Sequence, residues 1–240
     1  MAVEEQIPSV WARPEKRRRE QPALSRDHIV AEAIALLDTE GVAALSMRKL
    51  GARLNAGATS LYTHVTNKEE LLELVLDQVM GEIPSAPADG DWQERVLEVS
   101  RQFRAMILRH PWVSPLFGEV ASMNIGPNML RISDSMLGIF EDVGFSDDDA
   151  DDAANVVSCF IIGSAGAEAA FLNTLSRAGS SISDWMQRFL PTAAQASRPF
   201  PRMHRRYTAY GKPDTAPPSP DDSFDTRLRI ILKGIAAGAE

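Results

Sequence analysis

The sequence predicts an all-α fold in two helical parts, and three observations predict it. Apolar residues recur at helical spacing along most of the 240 residues, with no convincing strand alternation and no internal repeat. The stretch 45–72 packs three helix starts and one tight turn into 28 residues. A Pro- and Ala-containing linker at 84–90 separates this region from a longer helical remainder.

The elements follow in order. Residues 1–24 are polar, carry the run Lys16, Arg17, Arg18, Arg19 between two prolines, and read as a mobile basic arm. Ser25 caps the first helix, Leu24 and Ile29 can staple it, and Ile29, Ala33, Leu36 and Leu37 form its stripe before Gly41 ends it. Ser46 caps a second, short helix whose inner stripe is Met47, Leu50 and Leu54. Asn55, Ala56 and Gly57 then break the chain, since Asn and Gly tolerate the left-handed conformation of a sharp turn. Thr59 or Ser60 restarts a helix so short that only Leu61 and Val65 can face inward. Asn67, with Glu70 three residues on, starts a linking helix over 68–83 with Leu71, Leu72, Val75, Val79 and Ile83 inward.

Beyond the linker, 92–109 is amphipathic through Val96, Val99, Phe103, Met106 and Ile107. Pro111 and Pro115 interrupt the pattern around a short apolar turn. A helix over 127–143 carries Met129, Ile132, Met136, Ile139 and Phe140, and Gly144 stops it. Ser146 starts a long helix to about 177, where Asp147, Asp148, Asp149 and Asp151 favour the positive end of the dipole. A lesser helix over 182–194, a basic, proline-bearing loop region over 197–223 and a final helix over 224–237 complete the chain. The predicted division is an arm at 1–24, a first domain at 25–83 and a second at 91–240.

Composition narrows the function classes. The chain is 44% apolar and 24% charged, ordinary for a globular protein with a sizeable core. Its net charge of −8 is uneven: residues 1–68 sum to +2 and residues 69–240 to −10. A mildly basic end on an acidic body suits a protein that offers one face to a polyanion. The single cysteine, Cys159, excludes an internal disulfide and reads as a buried, inert thiol of the cytoplasm. No secretory h-region is visible in 1–22, and apolar runs stop short of a membrane span. No HExxH, GxSxG, phosphate loop or CxxC is present, so neither an enzyme nor a metal or cofactor site is expected.

Helix, three-residue turn and second short helix make a helix-turn-helix, whose second helix normally enters the DNA major groove. Base reading needs short polar groups and methyls near the start of that helix, with cations and capped helix ends around it. Thr59, Ser60, Tyr62 and Thr63 lie on its outer side. Arg48 is placed to reach a base such as guanine, and Ser46 and Lys68 to clamp phosphates at helix starts. Arg17, Arg18 and Arg19 would follow the backbone or enter a minor groove. Each of these also has a plain structural reading, as cap, core aromatic or solvated charge.

The pattern LSMRKLGARLNAGATSLYTHVTNKEELL, after its opening helix, resembles the TetR family of bacterial transcriptional regulators. The resemblance is dense over 25–83 and rests on Tyr62, His64, Val65, Asn67 and Lys68 at their distance from Arg48, Lys49 and Leu50. LRHPW at 108–112, VGFSDDDA at 143–150 and FDTRLRIILKGI at 224–235 look like a tetracycline-repressor type of C-terminal domain. The resemblance implies that Ala58 and Thr59 approach bases and that Tyr62 and His64 contact the DNA backbone. It implies a homodimer joined by the helices at 147–177 and 224–237, through Val156, Gly163, Ala167, Leu228, Ile231, Leu232 and Ile235. Two subunits would set recognition helices one DNA turn apart, about 34–36 Å, on a palindromic operator.

A small, largely apolar effector would be sensed by the Met- and aromatic-rich middle of the chain. The candidates are Phe103, Met106, His110, Trp112, Phe117, Met136, Phe140, Phe160, Glu168 and Phe171. The same residues would fill any helical core, and His110 would serve as a helix C-cap as readily. The expected function is a ligand-released repressor. The rival is an all-helical interaction or activator protein without small-molecule control.

Overall fold

The computed structural model describes residues 24–120, 126–211 and 219–238, and among these it is helical with no strand. Helix α1 (Arg26–Glu40) starts where the Ser25 hydroxyl accepts from the His28 N–H at 3.1 Å. It ends at Gly41, whose φ of 77° lets its N–H turn back to the Leu37 carbonyl at 2.8 Å. Ser46 caps α2 (Met47–Arg53) through the Lys49 N–H at 3.2 Å. Asn55, at φ 49°, supplies the left-handed turn that redirects the chain into α3 (Ala58–Leu61). The restart comes at Ala58, just ahead of the expected Thr59 or Ser60, and α3 is a single turn. Leu61 and Val65 anchor it and are fully buried, as their spacing requires.

Helix α4 (Lys68–Met80) is the structural axis. Asn67 caps it, accepting from the Glu70 N–H at 2.7 Å, while the Glu70 carboxylate reaches back to the Thr66 N–H at 3.2 Å. Ten of its thirteen residues are buried, including Glu70, Glu73 and Asp77. A helix apolar on one face only would not be so enclosed. Here α1 covers one side and α5 (Trp92–Arg109), α6 (Val113–Val120) and α7 (Pro127–Glu141) cover the other. One continuous apolar cluster therefore runs from Ile29 through Val75 and Met80 to Val157 and Leu232. The helix stops at Met80, three residues short of the expected end, although Ile83 remains buried.

The linker is tied down at two points. The Ala86 N–H donates to Ser135 Oγ at 3.1 Å, and Arg95 Nε donates to the Pro87 carbonyl at 2.8 Å. Helix α8 (Asp147–Arg177) runs over the predicted span, with the Ser146 hydroxyl accepting from the Asp149 N–H at 3.2 Å. Alone among the described helices, it is long and apolar enough to cross a membrane by length and composition. In this fold it packs instead on α5, α6, α7 and α11 (Pro220–Gly238).

Four expectations need correction. Residues 113–120 form a helix, not a turn, because Pro115 sits in its first turn, where a missing N–H costs nothing. The region 197–223, expected as loop, contains α10 (Pro201–Tyr210), started by Pro201 in the position a helix tolerates best. α10 packs on α9 (Ile182–Ala196). Helix α11 begins at Pro220, ahead of the expected Phe224, where Ser219 caps it through the Asp222 N–H at 3.0 Å. Cys159 is exposed, because its side of α8 faces away from the core that Val157 and Ile161 enter.

Candidate nucleic-acid interface

The short helix α3 presents one polar face. Thr59, Ser60, Tyr62, Thr63 and His64 are all exposed, and Tyr62 keeps 51% of its surface in solvent. A tyrosine filling a core would not. Thr63 is not fully free, since its hydroxyl donates to the Ser60 carbonyl at 2.7 Å and so firms the end of α3. Ala58 opens the helix.

The flanking cations divide into two sets. Lys49 pairs with Glu40 and Arg53 with Glu32, both bridges bracing α2 against α1. Arg48 is exposed and has no ion-pair partner among the described residues, so its charge is available to an incoming polyanion. Lys68 is half-buried at the first position of α4, beside the backbone N–H groups of that helix start. Ser46 is exposed, with its hydroxyl committed to the α2 cap. Of the sequence-predicted set, Ser46, Arg48, Thr59, Ser60, Tyr62, Thr63 and His64 are thus exposed and Lys68 is half-buried. Arg17, Arg18 and Arg19 lie outside the described residues.

Two polar clusters behind this face join α1 and α4 to the rest, and sequence reasoning missed both. In the first, the carboxylate of Asp77, 3% exposed, caps α7 from the side. Oδ1 accepts from the Asn128 N–H at 2.9 Å and the Met129 N–H at 3.0 Å, and Oδ2 accepts from Asn128 Nδ2 at 3.0 Å. Gly126, the N-cap residue of α7, has no side chain to do this work. In the second, the buried ring of His110 lies between Asp38 of α1, at 2.7 Å from Nδ1, and Glu82 after α4, at 3.1 Å from Nε2. Trp112 Nε1 donates to the same Asp38 oxygen at 2.6 Å, and Arg109 pairs with Glu82. His110 is the C-cap residue of α5, the plain role its sequence position also allowed, and its ring bridges protein carboxylates between helices.

The other effector candidates fall into separate groups. Phe103 packs on Phe117 with ring centroids 5.7 Å apart. Phe140 belongs to a cluster with Trp92 and Phe145, whose ring partners are different from those of the Phe103 pair. Phe160 stacks near Phe224 at 5.2 Å, and Arg104 lies over the same Phe224 ring at 5.3 Å. Glu168 accepts from Nε and Nη2 along one edge of the Arg104 guanidinium at 2.8 and 2.7 Å, and Asp221 accepts from Nη1 at 2.8 Å. These bonds, Glu168 foremost, raise the Arg104 pKa and keep it charged despite burial. Glu168 is thus neutralised in place. Met106, Trp112 and Met136 are buried core, and Phe171 contacts Trp185 at 4.9 Å.

Of the residues expected at a dimer interface, Val156 is 49% exposed, and Gly163 and Ala167 are exposed on the same stripe of α8. Ile231 and Ile235 are half-buried. Leu228 and Leu232 are fully enclosed by their own chain, because that stripe of α11 faces α5 and α8. Ile230, 66% exposed, is the outward residue of α11 that the sequence reading did not name.

Comparison with known proteins agrees with this geometry. Residues 29–75 match the family described as bacterial regulatory proteins, tetR family, and residues 83–238 match the tetracyclin repressor-like C-terminal domain. An HTH-type transcriptional regulator of Saccharopolyspora erythraea is 41% identical over 67% of this chain and 67% of its own. The HTH-type transcriptional repressor DrrR1 of Streptomyces coeruleorubidus is 29% identical over 91% of this chain and 79% of its own. Apo ActR from Streptomyces coelicolor superimposes with a TM-score of 0.72 at 29% identity, covering 92% of this chain and 98% of its own. ActR in complex with actinorhodin gives 0.71 at 30% identity, covering 90% and 98%.

Proposed function

Because this chain belongs to the TetR family of bacterial regulatory proteins, we propose that it is a homodimeric repressor of a palindromic operator, released by a small, largely apolar effector. The observation that carries the reading is the exposed polar face of α3, Thr59 to His64, held rigidly against a core that α4 continues into the rest of the molecule. In the dimer, the outward stripe of α8 (Val156, Gly163, Ala167) with Ile230 and Ile231 of α11 meets its symmetry copy in a four-helix bundle. Arg48, Thr59 and Ala58 read bases, Tyr62, His64, Ser46 and Lys68 hold phosphates, and the arm with Arg17 to Arg19 adds backbone or minor-groove contacts. The protein acts in the cytoplasm and has no catalytic role.

Release works through α4. The Asp77 cap ties its C-terminal half to α7, and the Glu82–His110–Asp38 strut ties its end to α5 and α1. An effector that prefers a different α5–α7 arrangement shifts α4, and with it the separation of the two recognition helices. It can do so only by as much as its affinities for the two states differ. The complex of ActR, a like fold, with actinorhodin supports control of this chain by a small molecule.

The test is a titration of the dimer against DNA from upstream of its own and neighbouring genes, with compounds screened for loss of binding. Sequence-selective binding that weakens steeply with salt is expected, the log–log slope falling by about 0.9 for each phosphate contact. Binding indifferent to sequence or salt would sink the regulator reading in favour of a helical interaction protein.

A further inference from the structure

The recognition segment is defined by what it lacks. From Ala56 to Thr66 the chain holds no Arg, Lys, Asn, Gln, Asp or Glu. Those side chains make the discriminating hydrogen bonds to base edges: Arg or Lys to guanine, Asn or Gln to adenine, Asp or Glu to cytosine. The hydroxyls that remain both donate and accept, so they suit any base edge and separate bases poorly. Arg48, exposed on α2, can grip a guanine from the preceding helix, but α3 itself must read by other means.

Thr63 shows which means. Its hydroxyl donates to the Ser60 carbonyl at 2.7 Å, so the hydrogen that a base acceptor would need is already used. The side chain is exposed, and the group left to meet an approaching surface is its γ-methyl. The helical turn continues to this point, since the Val65 N–H bonds the Leu61 carbonyl at 2.9 Å. Thr63 therefore stands one turn beyond Thr59 on the same side of the helix. Leu61 and Val65 take the buried side.

Gly57 is a second, independent sign. Its φ lies outside the positive range, and a Cβ placed there would meet nothing within 4 Å. Neither the backbone nor the packing of this chain calls for glycine at that position. A missing side chain at the entry to α3 does let the backbone come close to a bound molecule. A methyl group has a short reach, and only such a close approach brings it into contact.

We propose that Thr63 is a specificity-determining residue that reads thymine. Its γ-methyl packs on the 5-methyl group of a thymine in the major groove, and the bare position at Gly57 lets α3 sit deep enough for that contact. Thymine alone among the bases offers a methyl there, and apolar contact with it is direct readout that needs no hydrogen bond. This rests on the operator-binding reading above and adds that each half-site holds a thymine opposite Thr63.

The experiment takes the shortest upstream duplex that the full chain binds selectively and replaces its thymines by deoxyuridine, one symmetric pair at a time. Deoxyuridine lacks only the methyl. Fluorescence anisotropy reads affinity, and a circular dichroism melt checks folding. One pair is expected to weaken binding about 4-fold per half-site, about 15-fold together. Thr63→Ser keeps the hydroxyl and loses the methyl, so it should bind the thymine duplex as weakly and be indifferent to that replacement. Thr63→Val keeps a methyl and loses the hydroxyl, so it should bind close to the unmodified protein and remain sensitive. Gly57→Leu should melt normally and bind about tenfold or more weakly. A Thr63→Ser protein still sensitive to deoxyuridine would assign the contact to another residue and overturn the proposal. So would a loss confined to Thr63→Val, a duplex with no sensitive thymine, or a Gly57→Leu protein of full affinity. Failure of the regulator reading looks different, because no upstream duplex is then bound selectively, and it takes this proposal with it.

Discussion

The carboxylate of Asp77 stands in the space that a side chain at position 126 would need. A Cβ placed on Gly126 would lie 2.2 Å from Asp77 Oδ1. That same oxygen accepts the first free N–H groups of α7. The cap of one helix is thus supplied by the flank of another, and α4 and α7 share a joint that neither can leave without exposing buried polar groups.

Asp77→Ala should leave those N–H groups buried without an acceptor, at a cost of about 1–3 kcal/mol. For a chain of this length that lowers Tm by about 2–4 °C per kcal/mol. A thermal melt monitored by circular dichroism reads it directly, and an unchanged Tm would show that Asp77 does not join α4 to α7.

Gly126→Ala should cost a similar amount in the unmodified protein, because the new methyl displaces the carboxylate. In the Asp77→Ala background most of that cost should vanish. Urea midpoints of the two single variants and the double variant give the coupling; simple additivity would contradict the shared space.

Tyr62→Ala touches an exposed ring, so stability should stay within about 0.5 kcal/mol. Operator affinity should fall by about tenfold or more as the phosphate contact is lost. Fluorescence anisotropy with upstream DNA, set beside the melt, separates the two; equal affinity would make Tyr62 a bystander.

Trp112→Phe keeps the ring packing and deletes one donor to the Asp38 carboxylate. His110 still holds that oxygen, so the expected loss is about 1 kcal/mol. His110→Phe removes contacts to Asp38 and Glu82 together and should cost more. The reverse order in chemical denaturation would show that the indole, not the imidazole, joins α5 to α1.

Arg104→Met strips Glu168 of its bidentate partner and should cost about 3 kcal/mol or less, since Glu168 keeps some contact with water. R104M/E168L should recover much of this. A raised arginine pKa contributes fully below the ordinary arginine value and is lost only as pH rises through the raised one. The gap between unmodified and R104M proteins should therefore be as large at about pH 10 as at about pH 7. A gap that closes by pH 10 would place the guanidinium in a different environment.

Periodicity made the helices of residues 25–83 legible to within a few residues. Ser46, Asn55 and Asn67 act through local chemistry, and their caps and turn depend on neighbours within a few positions. The misses share a cause. Pro115 and Pro201 read as breaks although each occupies a first turn. Leu228 and Leu232 carried the right spacing for a seam, but spacing does not say which partner covers it. Asp77 and His110 look like ordinary polar residues in sequence, because the groups that bind them arrive from helices distant along the chain. Effector residues were the least legible. Aromatic content is the same for a pocket and a core, and the structure divides the candidates among several clusters.

The Asp77–Gly126 pair also restricts the routes by which this protein can change over generations. A side chain at 126 is admissible only after the carboxylate at 77 has gone. Losing the carboxylate first strands the N–H groups of α7. Each single step is penalised while the double step is tolerable, so drift at either position waits on the other. The two sites form a historical lock, and descendants that have opened it should carry a new capping side chain at 126 itself.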